Sequence, residues 1–444
     1  MRRRDLLFIG AALSMQACTS NTPTTLRPTL GPVPSAPSSA APVASPPGPD
    51  AVPNSFSQSR AWPSVGIPST ITALHDHHLC GSIRRQDRSV EQMDFPVIVD
   101  LSTHTTRLLL LDDAGRFSTV EADLDEVEAE ASRERPELGP QLLCGPAILD
   151  DAAAYLVVVA PKRSQERSTP ELGVAHLVKV RLSDGQVEAA AVLQENFRLT
   201  FLEEELNLSF STDHSSILIA ATSLGSADFI GKNLSATDLS TQFDVLDVMP
   251  SDISSSWPAG AAIHVHGDQS GSHLVMLKDG TSLETSGDLG AYVFDDFHLH
   301  LDATGSSVLR NLATGEEQQV TGLSGRDIAN FRTPGPWTRR STFVSIGGGE
   351  SRRRLTVWTP GTSEPSLQWE EKERFLPAGA VVFQDILCSG HPHLDDGALI
   401  LRRIDTAEVI ATVPRSVFGN GMGITAWGIA TGGVFLPADG WLTT

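Results

Sequence analysis

The chain has 444 residues, with 33 Lys and Arg against 54 Asp and Glu, and a formal charge of −21 at neutral pH. So large an anionic excess speaks against nucleic acid as a partner, because phosphates need basic patches, and against electrostatic docking on anionic lipid. Hydrophobic residues make up 40% of the chain, the share of an ordinary soluble protein with room for a large core.

The N-terminus reads as a targeting segment. Arg2, Arg3 and Arg4 precede a short apolar run, residues 6–13 (LLFIGAAL), and then Met15-Gln16-Ala17-Cys18. The run is too short to span a bilayer, which takes about 20 residues, and fits a signal-peptide core. The order resembles a bacterial lipoprotein signal, which implies lipidation at Cys18 and a cell-membrane anchor on the extracytoplasmic face. Arg3-Arg4-Asp5-Leu6-Leu7 is also similar to a twin-arginine export signal.

Residues 19–54 are mostly Thr, Pro, Ser, Ala and Gly. Such a stretch buries too little apolar surface to offset its ordering entropy. Its prolines favour extended backbone, at ~3.1 Å per residue, so it can reach on the order of 100 Å. The expected division is a signal peptide at 1–18, a disordered tether at 19–57 and a folded domain at 58–444.

That domain shows no sustained helical period. Short apolar runs alternate with turn residues, the pattern of strands. Residues 308–316 (VLRNLATGE) return forty-six residues later as 354–362 (RLTVWTPGT) and again as 400–408 (ILRRIDTAE), aligning Leu309, Leu355 and Leu401. Turn pairs extend this ladder through the domain: Ser102-Thr103, Asp184-Gly185, Ser240-Thr241, Asp279-Gly280, Thr314-Gly315, Pro360-Gly361 and Thr406-Ala407. A strand-and-turn repeat of this length is the size of one β-propeller blade. The prediction is an all-β propeller of seven blades, with six or eight as alternatives. In it, residues 423–444 either complete the first blade or found an eighth.

A second pattern is a turn, small residues and then a strand: residues 210–221 (FSTDHSSILIAA), 301–309 (LDATGSSVL), 149–157 (LDDAAAYLV) and 394–401 (LDDGALIL). Asp accepts local N–H bonds and small residues tolerate the turn. The pattern resembles the hairpin between the inner strands of WD40-like and TolB-like propeller blades. The resemblance covers most of residues 69–444 and implies architecture; propellers serve binding, scaffolding and catalysis alike.

Candidate chemistry centres on cysteine and histidine. Cys80 and Cys144 share a Leu-Cys-Gly context, and Cys388 follows Leu387. In an oxidising compartment, Cys80 and Cys144 are the expected disulfide. An alternative is a metal site, since thiolate and imidazole suit zinc or copper. If blades one and seven abut, it would draw on Cys80, Cys388, His77, His391 and His393. His264-x-His266 and His298-x-His300 put paired rings on one strand face. The acidic run at 121–137 lacks the order of a calcium loop and reads as a solvated loop or short helix. Gly347-Gly348-Gly349 reads as a flexible turn.

No Gly-x-Ser-x-Gly, His-Glu-x-x-His or phosphate-binding glycine loop occurs in the chain. Residues 312–316 are similar to the Thr-Gly turn of quinoprotein propellers, but Val320 stands near the place of their Trp, so no cofactor is expected. The reading is a lipid-anchored, monomeric binding or scaffold module for a protein, peptide or glycan. The alternatives are a hydrolase or lyase using funnel carboxylates, such as Asp295-Asp296 or Asp395-Asp396, and a Cys/His metal-binding propeller.

Overall fold

A computed structural model describes residues 51–56, 69–84, 94–131, 142–162, 172–198, 206–211, 214–221, 231–244, 252–257, 260–266, 271–277, 282–286, 292–294, 297–302, 304–311, 314–323, 331–332, 343–349, 352–359, 361–371, 379–391, 397–414, 422–431 and 433–439. Among them the regular elements are antiparallel strands apart from one α-helix, Leu124–Ala131.

The strands form eight sheets, each built from consecutive chain segments. Sheet one has five strands, from Ser69–His75 out to Phe117–Ala122. Sheets two to seven have four each, beginning at Leu143–Leu149, Leu206–Phe210, Asp252–Trp257, Tyr292–Phe294, Phe331–Arg332 and Gly379–Phe383. Sheet eight has three: Met422–Thr425, Gly428–Thr431 and Val434–Pro437. First strands of neighbouring sheets touch from one to five, and again from seven through eight back to one. Sheet six is joined to five by the Thr321 N–H donating to Ser363 O at 2.7 Å and by Gln368 Nε2 donating to Gly322 O at 2.6 Å. The result is a β-propeller.

The core is a series of slabs between facing sheets. Leu74 and Leu79 of sheet one meet Trp427 and Phe435 of sheet eight. Ile98 of sheet one meets Ala147 and Leu156 of sheet two, and Tyr155 and Val157 meet Leu208 and Ile217 of sheet three. Trp358 of sheet six, 0% exposed, sits among Leu299, Leu309 and Val320 of sheet five. Alternation along a regular strand sends successive residues to opposite neighbours, as in Asp94–Asp100, where Phe95, Val97 and Val99 face sheet eight and Ile98 faces sheet two. Full burial of each large apolar side chain contributes roughly 1.5–3 kcal/mol.

The repeat falls where the ladder predicted. Leu309, Leu355 and Leu401 are buried in the third strands of sheets five, six and seven, Ser307–Asn311, Arg352–Trp358 and Ala398–Arg403. Five of the turn pairs lie between or bracket the third and fourth strands of one sheet; Asp279-Gly280 and Pro360 lie outside the described residues. The ladder stops at seven because sheet eight has three strands, and its outer side is met by a bridge from the other end of the domain. Phe56 pairs antiparallel with Ala438, and Asp439 N–H donates to Ser55 O at 2.9 Å. Residues 423–438 therefore make a sheet of their own rather than completing the first. Val52 and Phe56, on the tether side of the expected boundary, pack with Val434 and the cluster of sheets seven and eight. This closure pairs a sheet edge that would otherwise be open.

Three local expectations come out differently or more sharply. The hairpin pattern marks two places: first-to-second strand turns in sheets two and three, second-to-third in sheets five and seven. The copies in sheets two and five share local bonding: Asp150 Oδ1 accepts from Ala152 and Ala153 N–H, and Asp302 Oδ1 from Thr304 N–H at 2.8 Å and Ser306 N–H at 2.9 Å. The acidic run forms the helix Leu124–Ala131, with Asp123 Oδ1 accepting the Asp125 N–H at 2.8 Å as its cap, and Val127 buried against sheet one. The glycine run is not a free turn. Gly347, Gly348 and Gly349 pair with Arg354, Arg353 and Arg352 at the end of a hairpin.

Candidate functional site

The first two strands, Ser69–His75 and His78–Arg84, are joined by the tight turn Asp76-His77, with His75 opposite His78. Asp76 takes φ 47°, a left-handed conformation that Asp tolerates better than most residues. The turn is pinned from sheet one's next hairpin, where Leu101 N–H donates to His77 O at 2.8 Å. Asp100, opposite His78 in register, ends the strand Asp94–Asp100. Four charged or titratable side chains thus converge on one corner of the ring.

Each has a defined partner. His77 Nδ1 lies 2.6 Å from Asp76 Oδ2; the carboxylate can only accept, so Nδ1 carries the proton and donates. Asp100 Oδ1 accepts from Ser102 N–H at 2.9 Å, Ser102 Oγ at 2.6 Å and Thr103 N–H at 3.2 Å. Its other oxygen faces His78 Nε2 at 4.0 Å, too far for a hydrogen bond. His77 and His78 rings lie 4.1 Å apart between centroids, and Trp427 of sheet eight stands 5.8 Å from His77 on another side. His75 donates through Nε2 to Asp151 Oδ1 of sheet two at 2.7 Å.

Electrostatics differ within the corner. Burial, reinforced by the neighbouring His77, pushes His78 down to about 4, against the opposing pull of Asp100 and Asp76. His78 is therefore a neutral imidazole near pH 7. Burial works against ionisation of Asp100, but hydrogen bonds from Ser102 and Thr103 outweigh it and hold the carboxyl below its usual range. One donor atom from each of His77, His78 and Asp100 lies within 4.8 Å of the other two.

Of the expected metal set Cys80, Cys388, His77, His391 and His393, only His77 belongs to this group. Cys80 and Cys388 are not brought together. Cys80 lies between sheets one and two, while Cys388 lies between seven and eight. The interposed sheet eight is the physical reason: sheets one and seven do not abut. No disulfide joins Cys80, Cys144 or Cys388 in this structure, so the expected Cys80–Cys144 bridge is not formed. Burial raises all three thiol pKa values, with Cys80 and Asp94 adding to the effect at Cys144. His391 is buried in the strand Ile386–His391, its Nε2 2.9 Å from Ser389 Oγ. Cys18, His393, Asp295-Asp296 and Asp395-Asp396 lie outside the described residues.

His298 and His300 do share a face, stacked at 4.6 Å and 13°. His264 and His266 lie in the strand Gly260–His266. Sequence reasoning missed Asp76, Asp100 and Trp427. The signals were the two-residue spacing between His75 and His78 and the Ser102-Thr103 turn, which places Asp100 at a strand end. Nothing local marks Trp427, which arrives from 350 positions along the chain relative to His77.

No protein-family model and no curated protein matches the chain. Solved structures similar to it include the computationally designed Ika8 protein, at 13% identity and TM-score 0.39, covering 88% of this chain and 100% of that one. The β-propeller domain of the Trilobed protease from Pyrococcus furiosus, described as having an open velcro topology, is 9% identical at TM-score 0.39, covering 77% and 96%. The WD40 repeats of RRP9 are 10% identical at TM-score 0.38, covering 67% and 95%.

Proposed function

We propose that the protein is an extracytoplasmic, lipid-anchored β-propeller that presents one end of its ring to a protein, peptide or glycan. The observation that carries this reading is the closure at Phe56–Ala438. It seats residues 55–56 beside the last strand of sheet eight. A lipoprotein-like start and a Pro-rich stretch ahead of that point suit a module held near a membrane.

The end carrying the first-to-second and third-to-fourth strand turns is the better candidate for contact. It holds the His77 corner. It also holds His214, which is exposed and stacks on Phe210 at 4.7 Å, with Phe210 edge-on to Tyr155 at 5.3 Å. Exposed rings on a rigid aromatic base offer contact area at low entropy cost.

Two measurements test the reading. Cys18→Ala should move the protein from the membrane to the soluble fraction; unchanged partitioning would refute the anchor. Photo-crosslinkers at Thr103 and Asp238 should capture a partner in intact cells, whereas one at Thr304, on the opposite end, should not. Adducts from Thr304 alone, or from none of the three, would overturn the choice of surface.

A further inference from the structure

We propose that His77, His78 and Asp100 form a site for a divalent metal ion of the zinc type, at the seam where sheets eight and one meet. Two imidazoles and one carboxylate are the donor set that borderline first-row cations prefer, in contrast to the all-oxygen sets of calcium and magnesium.

The geometry is near what such an ion needs. Bonds of about 2.0–2.2 Å from a tetrahedral zinc place donor atoms roughly 3.4 Å apart. His78 Nε2 and Asp100 Oδ2 stand 4.0 Å apart, too wide to bond to each other and close enough for an ion to sit between them. One donor atom from each of the three lies within 4.8 Å of the others. His77, on the turn and 29% exposed, is the least enclosed of the three.

The surroundings are built to hold these donors. Asp76 occupies Nδ1 of His77 and leaves Nε2 to bind, the carboxylate–imidazole pairing that orients metal-ligating histidines. Three donors fix Oδ1 of Asp100 and leave Oδ2 turned to His78. The backbone under His77 is tied by the Leu101 N–H, and Trp427 walls the ring on the side of sheet eight. Three protein ligands leave at least one coordination position for water or for a group on a partner. Cys80 takes no part: it is buried in the slab towards sheet two.

The test is zinc binding by the full-length chain in detergent, stripped of metal by a chelator and assayed with Zn²⁺ alone. The expected result is one tight Zn²⁺ per chain, not displaced by millimolar Ca²⁺ or Mg²⁺, with a visible absorption band when Co²⁺ replaces it. His77→Ala should weaken binding at least 100-fold. Asp100→Asn should do the same while keeping an acceptor for Ser102 and Thr103, so that melting of the metal-free protein is little changed. Asp76→Asn should cost about 10–100-fold, as for other orienting partners. Absence of stoichiometric binding by the unaltered chain, or binding that survives both His77→Ala and Asp100→Asn, would overturn the proposal.

Discussion

Acid should destabilise this protein through His78 before it reaches the carboxylates. The side chain is buried, with 8% of the residue exposed, and titrates at about 4 in the folded protein against 6.5 for a free imidazole. The sign follows from proton counting. Between these two values the unfolded chain binds a proton at this position and the folded chain does not, so stability falls as the pH falls. Above about pH 6.5 both states are neutral and the contribution is constant; below about pH 4 both are protonated and the loss is complete. A shift of this size corresponds to about 3 kcal/mol, a large part of the margin by which a typical domain is folded. The assay is urea unfolding of metal-free protein at steps from pH 7.5 to 4, for the unaltered chain and for His78→Gln. The unaltered chain should lose about 3 kcal/mol more than the variant over that range. Parallel curves would mean that His78 reaches water in the folded state, and the account of this corner would be wrong.

Other consequences are as direct. Trp358→Ala removes the largest fully buried side chain among the described residues and its bond from Nε1 to Thr362 O, and should cost about 3–5 kcal/mol by urea unfolding, with Trp358→Phe losing clearly less. Gly185 sits at φ +74° with Arg107 of sheet one close above it, while Thr119 Oγ1 donates to its carbonyl at 2.6 Å. Gly185→Ala should therefore cost at least about 1–2 kcal/mol, read as a lowered Tm. Cys80, Cys144 and Cys388 should give three titratable thiols in denaturant without reductant, and Cys80 and Cys388 should not react in the native state, since both are fully buried. A single thiol would show that Cys80 and Cys144 pair after all.

Much of the architecture was legible because a repeat writes itself several times. Leu309, Leu355 and Leu401 align because each fills the same slab position, and the turn pairs recur because each third strand must reverse into a fourth. The count was less legible for a physical reason. Sheet eight has no such turn, because it has three strands and its outer side is met by a bridge from Phe56, more than 360 positions before its first strand. That omission carried into the candidate site. With seven sheets in the ring, Cys80 and Cys388 would be on neighbouring blades; with the sheet of residues 422–437 between them, they face different slabs. Histidine content pointed to the right turn, and His77 stands in it. The carboxylate that completes the group was hidden, since Asp100 meets His78 only through the pairing of the second and third strands.

The candidate site and the ring closure depend on the same few residues. Ala438 pairs on one side with Phe56, from the other end of the domain. On its other side, its N–H donates to Trp427 O at 2.9 Å. Trp427 stands against His77, and His77 against His78. The corner is thus completed by a contact that exists only when the two ends of the domain have met. Sheet one alone can supply His77, His78 and Asp100, but the wall that limits His77 belongs to the last sheet. Loosening the closing strand should therefore free the Trp427 turn and widen the His77 corner before it disturbs the slabs between sheets two and three. Closure then completes the wall of the corner, while its three candidate ligands all come from sheet one.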